Sequence, residues 1–196
     1  MADRTSSDAG AAVDWSSYYK KTGERPPRPT LVGALDAFAA DGMPSGGRAV
    51  DLGCGSGRDT IEILRRGWPV LAVDAEPDAI AKLLARSDLP KGCEIETLVS
   101  RYEDMALPRC DLVNAGFSLP LCPADAFPDV WAKIVGALLP GGRFSGQLYG
   151  DRDDWVDRPG MTCLSREEVV ELLEPFEVEL LEEEEDDSVT PRGVQK

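Results

Sequence analysis

A short apolar stretch, Ala49-Val50-Asp51-Leu52, runs straight into Gly53-Cys54-Gly55-Ser56-Gly57. Glycine is needed where the main chain takes positive φ, and where a ligand lies against the backbone with no Cβ between them. Several ligand classes use such a turn. The dinucleotide version is GxGxxG, with a pyrophosphate at the start of the following helix. Here the third glycine falls one residue early and Asp51 precedes the turn. A carboxylate at that place repels a pyrophosphate and suits an ammonium group. A second acid, Asp74, ends the apolar run Val70-Leu71-Ala72-Val73, where a strand-tip carboxylate can accept both hydroxyls of a ribose. A third acidic element, Tyr102-Glu103-Asp104-Met105, offers acceptors to an adenine amino group.

Composition narrows the chemistry further. The chain has 196 residues, the size of one ordinary domain, with 42% hydrophobic and 29% charged residues, a globular balance. Its formal net charge of −15 argues against a nucleic-acid backbone or an anionic membrane as partner, since no basic field exists to recruit either. The absence of histidine removes the most usual general base and metal ligand, and no metal site is expected. Five cysteines form no CxxC pair, the start lacks a basic-then-apolar signal, and no apolar run reaches membrane-spanning length, so a reduced, cytoplasmic setting is expected.

These residues need elements to hold them. Residues 1–29 read as a flexible leader and an aromatic segment, in which Trp15, Tyr18 and Tyr19 have helical spacing and can form a lid. Thr30 is the expected N-cap of a helix running to Gly42. Strands and helices then alternate: strand 48–53, helix 58–67, strand 69–74, helix 77–87, strand 93–100, strand 111–116, helix 124–139 ended by Pro140-Gly141-Gly142, and strand 143–150. Ser165 caps a helix over 166–175, and Phe176 to Leu181 forms a last strand before the acidic run Glu182 to Asp187. Parallel neighbours need crossover connections, so the pattern predicts an α/β fold with a doubly wound, mostly parallel sheet over residues 30–196.

Ammonium, ribose and adenine, read in chain order, describe one ligand: S-adenosyl-L-methionine. At these residues the chain resembles the class I S-adenosylmethionine-dependent methyltransferases over residues 48–182, with a Rossmann-like fold. DLGCGSG resembles that family's first motif, VLAVDAEPDAI its second, YEDMALP its adenine-side motif and LLPGGRFSGQLYG its fifth strand. In length and first motif the chain is also similar to the tellurite-resistance and thiopurine methyltransferases. The resemblance implies that Asp51 holds the methionyl ammonium, often through water. Gly53, Cys54, Gly55 and Gly57 would admit the aminocarboxypropyl chain, Asp74 with Ala75 would bind the ribose, and Glu103 with the Asp104 N–H would meet the adenine. Tyr19, Arg28 and Asn114 complete the expected cofactor contacts, with Arg28 toward the methionyl carboxylate.

The family closes its sheet with a seventh, antiparallel strand. The residues after Leu181 are too short and polar a run to supply it, so the expectation is either that the sequence stops short of that strand or that Phe176 to Leu181 pairs differently and leaves an open edge through which copies associate. A small-molecule acceptor is expected near Phe117, Leu119, Gln147, Tyr149 and Trp155, because strand C-termini line the crevice in open sheets. No residue is identifiable as a catalytic base. The alternative is a protein that binds S-adenosylmethionine or S-adenosylhomocysteine without turnover.

Overall fold

The computed structural model describes residues 25–43 and 45–185. Trp15, Tyr18 and Tyr19 lie outside the described residues. The elements in order are α1 (Pro29–Ala40), β1 (Ala49–Leu52), α2 (Thr60–Arg65), β2 (Val70–Asp74), α3 (Pro77–Leu84), β3 (Ile95–Val99), β4 (Cys110–Ala115), a 3-10 turn (Leu119–Leu121), α4 (Phe127–Ala137), β5 (Leu138–Gly146), β6 (Tyr149–Gly150), β7 (Cys163–Leu164) and α5 (Arg166–Leu173). The first five strands form one sheet in the order β3-β2-β1-β4-β5, parallel throughout.

Side chains alternate across a strand, and here both faces are apolar, as a parallel sheet covered on two sides requires. Val50 and Leu52 of β1, Leu71 and Val73 of β2 and Val113 of β4 enter a core with Trp131 and Ile134 of α4. Ala49, Val70, Ala72 and Leu112 enter the opposite core with Leu31, Leu35 and Phe38 of α1, Ile61 of α2 and Leu83 of α3. On the first face, Trp131 donates its indole N–H to the Leu172 carbonyl at 3.1 Å and so ties α5 to α4.

The doubly wound parallel sheet is as the sequence predicts, with local corrections. Thr30 is not the cap of α1: Pro29 starts the helix, Arg28 precedes it with extended backbone, and the Thr30 hydroxyl instead accepts from Gln147 at 2.7 Å. Proline at the first helical position needs no donor, so the start survives without a side-chain cap. The helix expected to reach Leu139 stops at Ala137. Pro140-Gly141-Gly142 then bulges within β5, where pairing jumps from Cys110 opposite Leu138 to Leu112 opposite Arg143. Ser165 does cap α5, in a capping box with Glu168.

The expected strand over Phe176 to Leu181 does not form. Phe176 packs on the α4 core, but beyond it the segment is held by charge: Arg143 of β5 donates to both Glu179 carboxylate oxygens at 3.0 Å and to Asp41 at 2.7 Å. Val178, Leu180 and Leu181 are exposed, so no apolar face draws the segment into a ladder. Instead a two-residue parallel pair, β6 with β7, joins Tyr149 to Cys163. Among the described residues, no helix is long and apolar enough to cross a membrane.

Candidate functional site

A cleft of about 300 Å³ opens at the carboxyl ends of β1 and β2. Gly53, Cys54 and Gly55 form its floor, and Asp74 and Ala75 follow from β2. Arg101 to Glu103 after β3, Gly116 to Ser118 after β4, and Arg28 complete the walls. The sequence-predicted residues Arg28, Gly53, Cys54, Gly55, Asp74, Ala75 and Glu103 therefore meet around one space. Asp51, Gly57, Asp104 and Asn114 do not line it, and Tyr19 lies outside the described residues.

Asp74 is 7% exposed. One oxygen accepts from the Gly55 N–H at 2.8 Å and the other from the Glu76 N–H at 2.9 Å. Burial raises its pKa, and those two N–H groups pull it back toward the ionised form. The Cys54 thiol, enclosed and facing the charges of Asp51 and Asp74, is pushed well up and stays neutral. Glu103, by contrast, is held low by its own backbone N–H and by Arg101.

Asp51 lies under the loop instead of on the cleft wall. It is 2% exposed, and its oxygens accept from the Thr60 hydroxyl and from Asn114 Nδ2 at 2.8 Å. Asn114 accepts in turn from the Ser145 hydroxyl at 2.8 Å and reaches Asp59 at 3.4 Å. Asp59 accepts from the Arg28 backbone N–H at 3.0 Å and from its guanidinium at 3.3 Å. Burial, with the neighbouring Asp59 charge, pushes Asp51 up to about 7. Asn114 thus knits two buried carboxylates together, a role that the residue type alone does not reveal.

The glycines divide their work. At Gly53, with φ of +64°, an added Cβ would stand 2.3 Å from Ser118 Cβ and 2.7 Å from the Tyr102 hydroxyl, so the cleft floor closes only without one. At Gly57, with φ of +87°, the added Cβ would meet Leu83 Cδ1 at 2.3 Å, so this glycine serves the packing of α3 and not the cleft.

Of the expected acceptor residues, Leu119 is fully buried and is a core residue instead. Phe117 is 44% exposed, at a φ of +53° that is unique among the described non-glycine residues. Its backbone N–H donates to Gln147 Oε1 at 3.2 Å, and Gln147 in turn clips Thr30, so β5, this turn and α1 are joined at the mouth. Tyr149 lies 6.2 Å from the Phe117 ring, and Trp155 lies 5.7 Å from Tyr149. Sequence reasoning missed Ser118, whose hydroxyl donates to the Leu52 carbonyl at 2.6 Å, and Arg101. Position shortly after β4 was the available signal for the first, and adjacency to Tyr102 for the second.

The residues fit S-adenosyl-L-methionine on an observation made from the protein alone. Arg28 belongs to the cleft wall, and its Nε is a buried donor with no hydrogen-bond partner, while its Nη1 is paired with Asp59 and the guanidinium carbon lies 5.0 Å above the Phe117 ring. A buried N–H of this kind is costly unless a ligand completes it.

Comparison with known proteins agrees. A family model described as "Methyltransferase domain" matches residues 49–142. The ribosomal protein L11 methyltransferase of Xanthomonas euvesicatoria pv. vesicatoria is 33% identical over 129 residues, 63% of this chain and 40% of that protein. The chain spans only about half the length of the curated relatives it matches, between 39% and 54%. TehB from Haemophilus influenzae superposes with a TM-score of 0.70 at 18% identity, covering 91% of this chain and 61% of TehB. The 1,6-didemethyltoxoflavin-N1-methyltransferase of Burkholderia thailandensis, solved with bound 1,6-didemethyltoxoflavin and S-adenosylhomocysteine, has a TM-score of 0.59 and 26% identity, covering 82% of this chain and 72% of that one. Residues 49–142 thus match a methyltransferase domain, and the chain has the Rossmann-like fold of the class I S-adenosylmethionine-dependent methyltransferases, relatives of which are solved with bound S-adenosylmethionine or S-adenosylhomocysteine.

Proposed function

We propose that this protein transfers the methyl group of S-adenosyl-L-methionine to a small-molecule acceptor, by in-line displacement driven by positioning and desolvation. One observation carries the reading: a single cleft combines a bare glycine floor, the Asp74 carboxylate and the unpartnered Arg28 donor. The bound cofactor supplies an electrophilic methyl on a sulfonium. Asp74 would accept from the ribose hydroxyls, and Arg28 Nε would donate to the methionyl carboxylate. Glu103 and Arg101 stand for the adenine end. Asp51 would act on the ammonium from beneath the loop and not as a direct contact, the positive charge of the ammonium favouring its ionised form.

Phe117 lines the cleft and, with a substrate bound, would help keep water from the reacting atoms. Methyl transfer asks chiefly that the nucleophile sit about 3 to 3.5 Å from the methyl carbon, in line with the leaving sulfur. A dedicated base is optional for thiols, amines and anionic acceptors, which suits a chain without histidine.

A second reading, a protein acceptor, has the L11 methyltransferase relatives in its favour. The test is S-adenosylhomocysteine calorimetry, followed by methyl-labelled cofactor with panels of thiols, amines, phenols, carboxylates and ribosomal proteins. Transfer to a small molecule supports the proposal, and label confined to a protein band moves the assignment to the second reading. Binding without transfer to any acceptor marks a non-catalytic binder. Saturable NADH binding with no S-adenosylhomocysteine binding removes the methyltransferase reading.

A further inference from the structure

The pairing of β4 with β5 ends at Ala115 opposite Gly146, and Gln147 is the next residue along the chain. Its backbone still bonds back, the N–H donating to the Ala115 carbonyl at 3.4 Å. From there its side chain takes over from the ladder. Oε1 accepts from the Phe117 N–H at 3.2 Å, and Nε2 donates to the Thr30 hydroxyl at 2.7 Å. One amide thus uses both ends to join two segments far apart in sequence.

Both segments bear on Arg28. Thr30 lies in the first turn of α1, and the Pro29 between it and Arg28 has a fixed φ. The Phe117 ring centroid lies 5.0 Å from the guanidinium carbon. The chain just before Phe117 passes as closely: a Cβ added at Gly116 would stand 2.6 Å from Asp59 Oδ2 and 2.9 Å from Arg28 Cδ. Phe117 does not keep this place by backbone preference. At φ of +53° it occupies the left-handed region, which a non-glycine residue holds only where its surroundings over-determine it. With 44% of the residue exposed, burial is not the main restraint, and the hydrogen bond to Gln147 supplies one.

Asp59 alone leaves the guanidinium plane free to turn. It accepts from the Arg28 backbone N–H at 3.0 Å and from Nη1 at 3.3 Å, a single long side-chain contact instead of a two-point fork. The surface against which the plane lies must set its angle, and with it the direction of the unpartnered Nε.

We propose that Gln147 is a positioning residue for the carboxylate end of the cofactor: by tying the Phe117 turn to the first turn of α1, it fixes the Arg28 guanidinium at the angle where Nε meets that carboxylate. The proposal rests on the methyl-transfer reading above, in which Arg28 Nε is the donor. Gln147 acts through Arg28 and needs no contact with the ligand.

The test uses the full chain, titrated by calorimetry with S-adenosylhomocysteine and, directly or by competition, with 5′-methylthioadenosine, which keeps the adenosine and thioether and has no carboxylate. Gln147→Met removes both hydrogen bonds at similar length. It should weaken S-adenosylhomocysteine about tenfold, a large part of one hydrogen bond to a charged group, and leave 5′-methylthioadenosine within about twofold. Thr30→Val cuts one arm of the clip and should weaken S-adenosylhomocysteine about threefold with the same selectivity, and it decides the matter if Gln147→Met does not fold. In an Arg28→Lys background, which keeps a cation for Asp59 but lacks the guanidinium Nε, either substitution should change S-adenosylhomocysteine affinity by less than about twofold. Unchanged S-adenosylhomocysteine affinity, equal weakening of both ligands, or a loss that persists in full in the Arg28→Lys background overturns the proposal. Failure of the wild type to bind S-adenosylhomocysteine overturns instead the reading on which it rests.

Discussion

Replacing Gly57 by alanine separates a packing glycine from a cofactor glycine. The substitution places a Cβ at φ of +87°, a region that costs an L-residue roughly 1–2 kcal/mol. It also brings that carbon to 2.3 Å from Leu83 Cδ1, more than 1 Å inside ordinary contact. Leu83 is fully buried among α1, α2 and β2 side chains, so it cannot swing into solvent, and overpacking of this kind costs about 1–3 kcal/mol. The two effects together predict a loss of about 2–5 kcal/mol, read by urea unfolding. The surviving folded protein should bind S-adenosylhomocysteine within about threefold of wild type, a difference of under 1 kcal/mol. Combining Gly57→Ala with Leu83→Ala should give losses that fall short of additive by about 1 kcal/mol or more, because the second truncation removes the clash made by the first. Stability unchanged while binding disappears would refute the argument and return Gly57 to the cofactor.

Two further outcomes follow from the site. Asp74→Ala should weaken S-adenosylhomocysteine binding by about 1.5–3 kcal/mol in calorimetry, the cost of hydrogen bonds to a charged group, and an unchanged Kd would remove Asp74 from the ribose site. Asp51 titrates near 7 when folded and near its ordinary 3.8 when unfolded, so the folded state binds more protons between those values. Its contribution therefore falls as pH rises from about 4 to about 7 and is flat above. Against an Asp51→Asn variant, the wild type should lose relative stability across that window in urea titrations, and a relative gain would contradict the burial argument.

The alternation of apolar strands with helices made the five-stranded sheet readable from composition and spacing, since Val70 to Val73 and Leu112 to Val113 are buried on both faces as their residue types demand. The glycine turn and Asp74 were legible for the same reason: they depend on local backbone needs that leave a mark in sequence. Partnership was not legible. Nothing in the sequence says that Asn114 turns inward to Asp51, or that Gly57 faces Leu83, because those contacts join positions far apart in the chain. The strand expected over Phe176 to Leu181 failed because its apolar pattern matched a period without a core to receive it.

The two walls of the site rest on unequal foundations. The cleft floor grows from β1 and β2, whose residues are all buried, whereas Tyr149 beside the cleft mouth stands on β6, which pairs with β7 as strands of two residues each, next to α5, which has no fully buried residue. Regions with few buried contacts open at a lower free energy than the core. Substitutions on the β6–β7 flank therefore draw little on global stability, while equivalent changes in the floor draw on all of it. Under the proposed methyl-transfer function, such a scaffold would let that flank drift by mutation while the floor stays fixed, a division of evolvability set by where the apolar residues happen to lie.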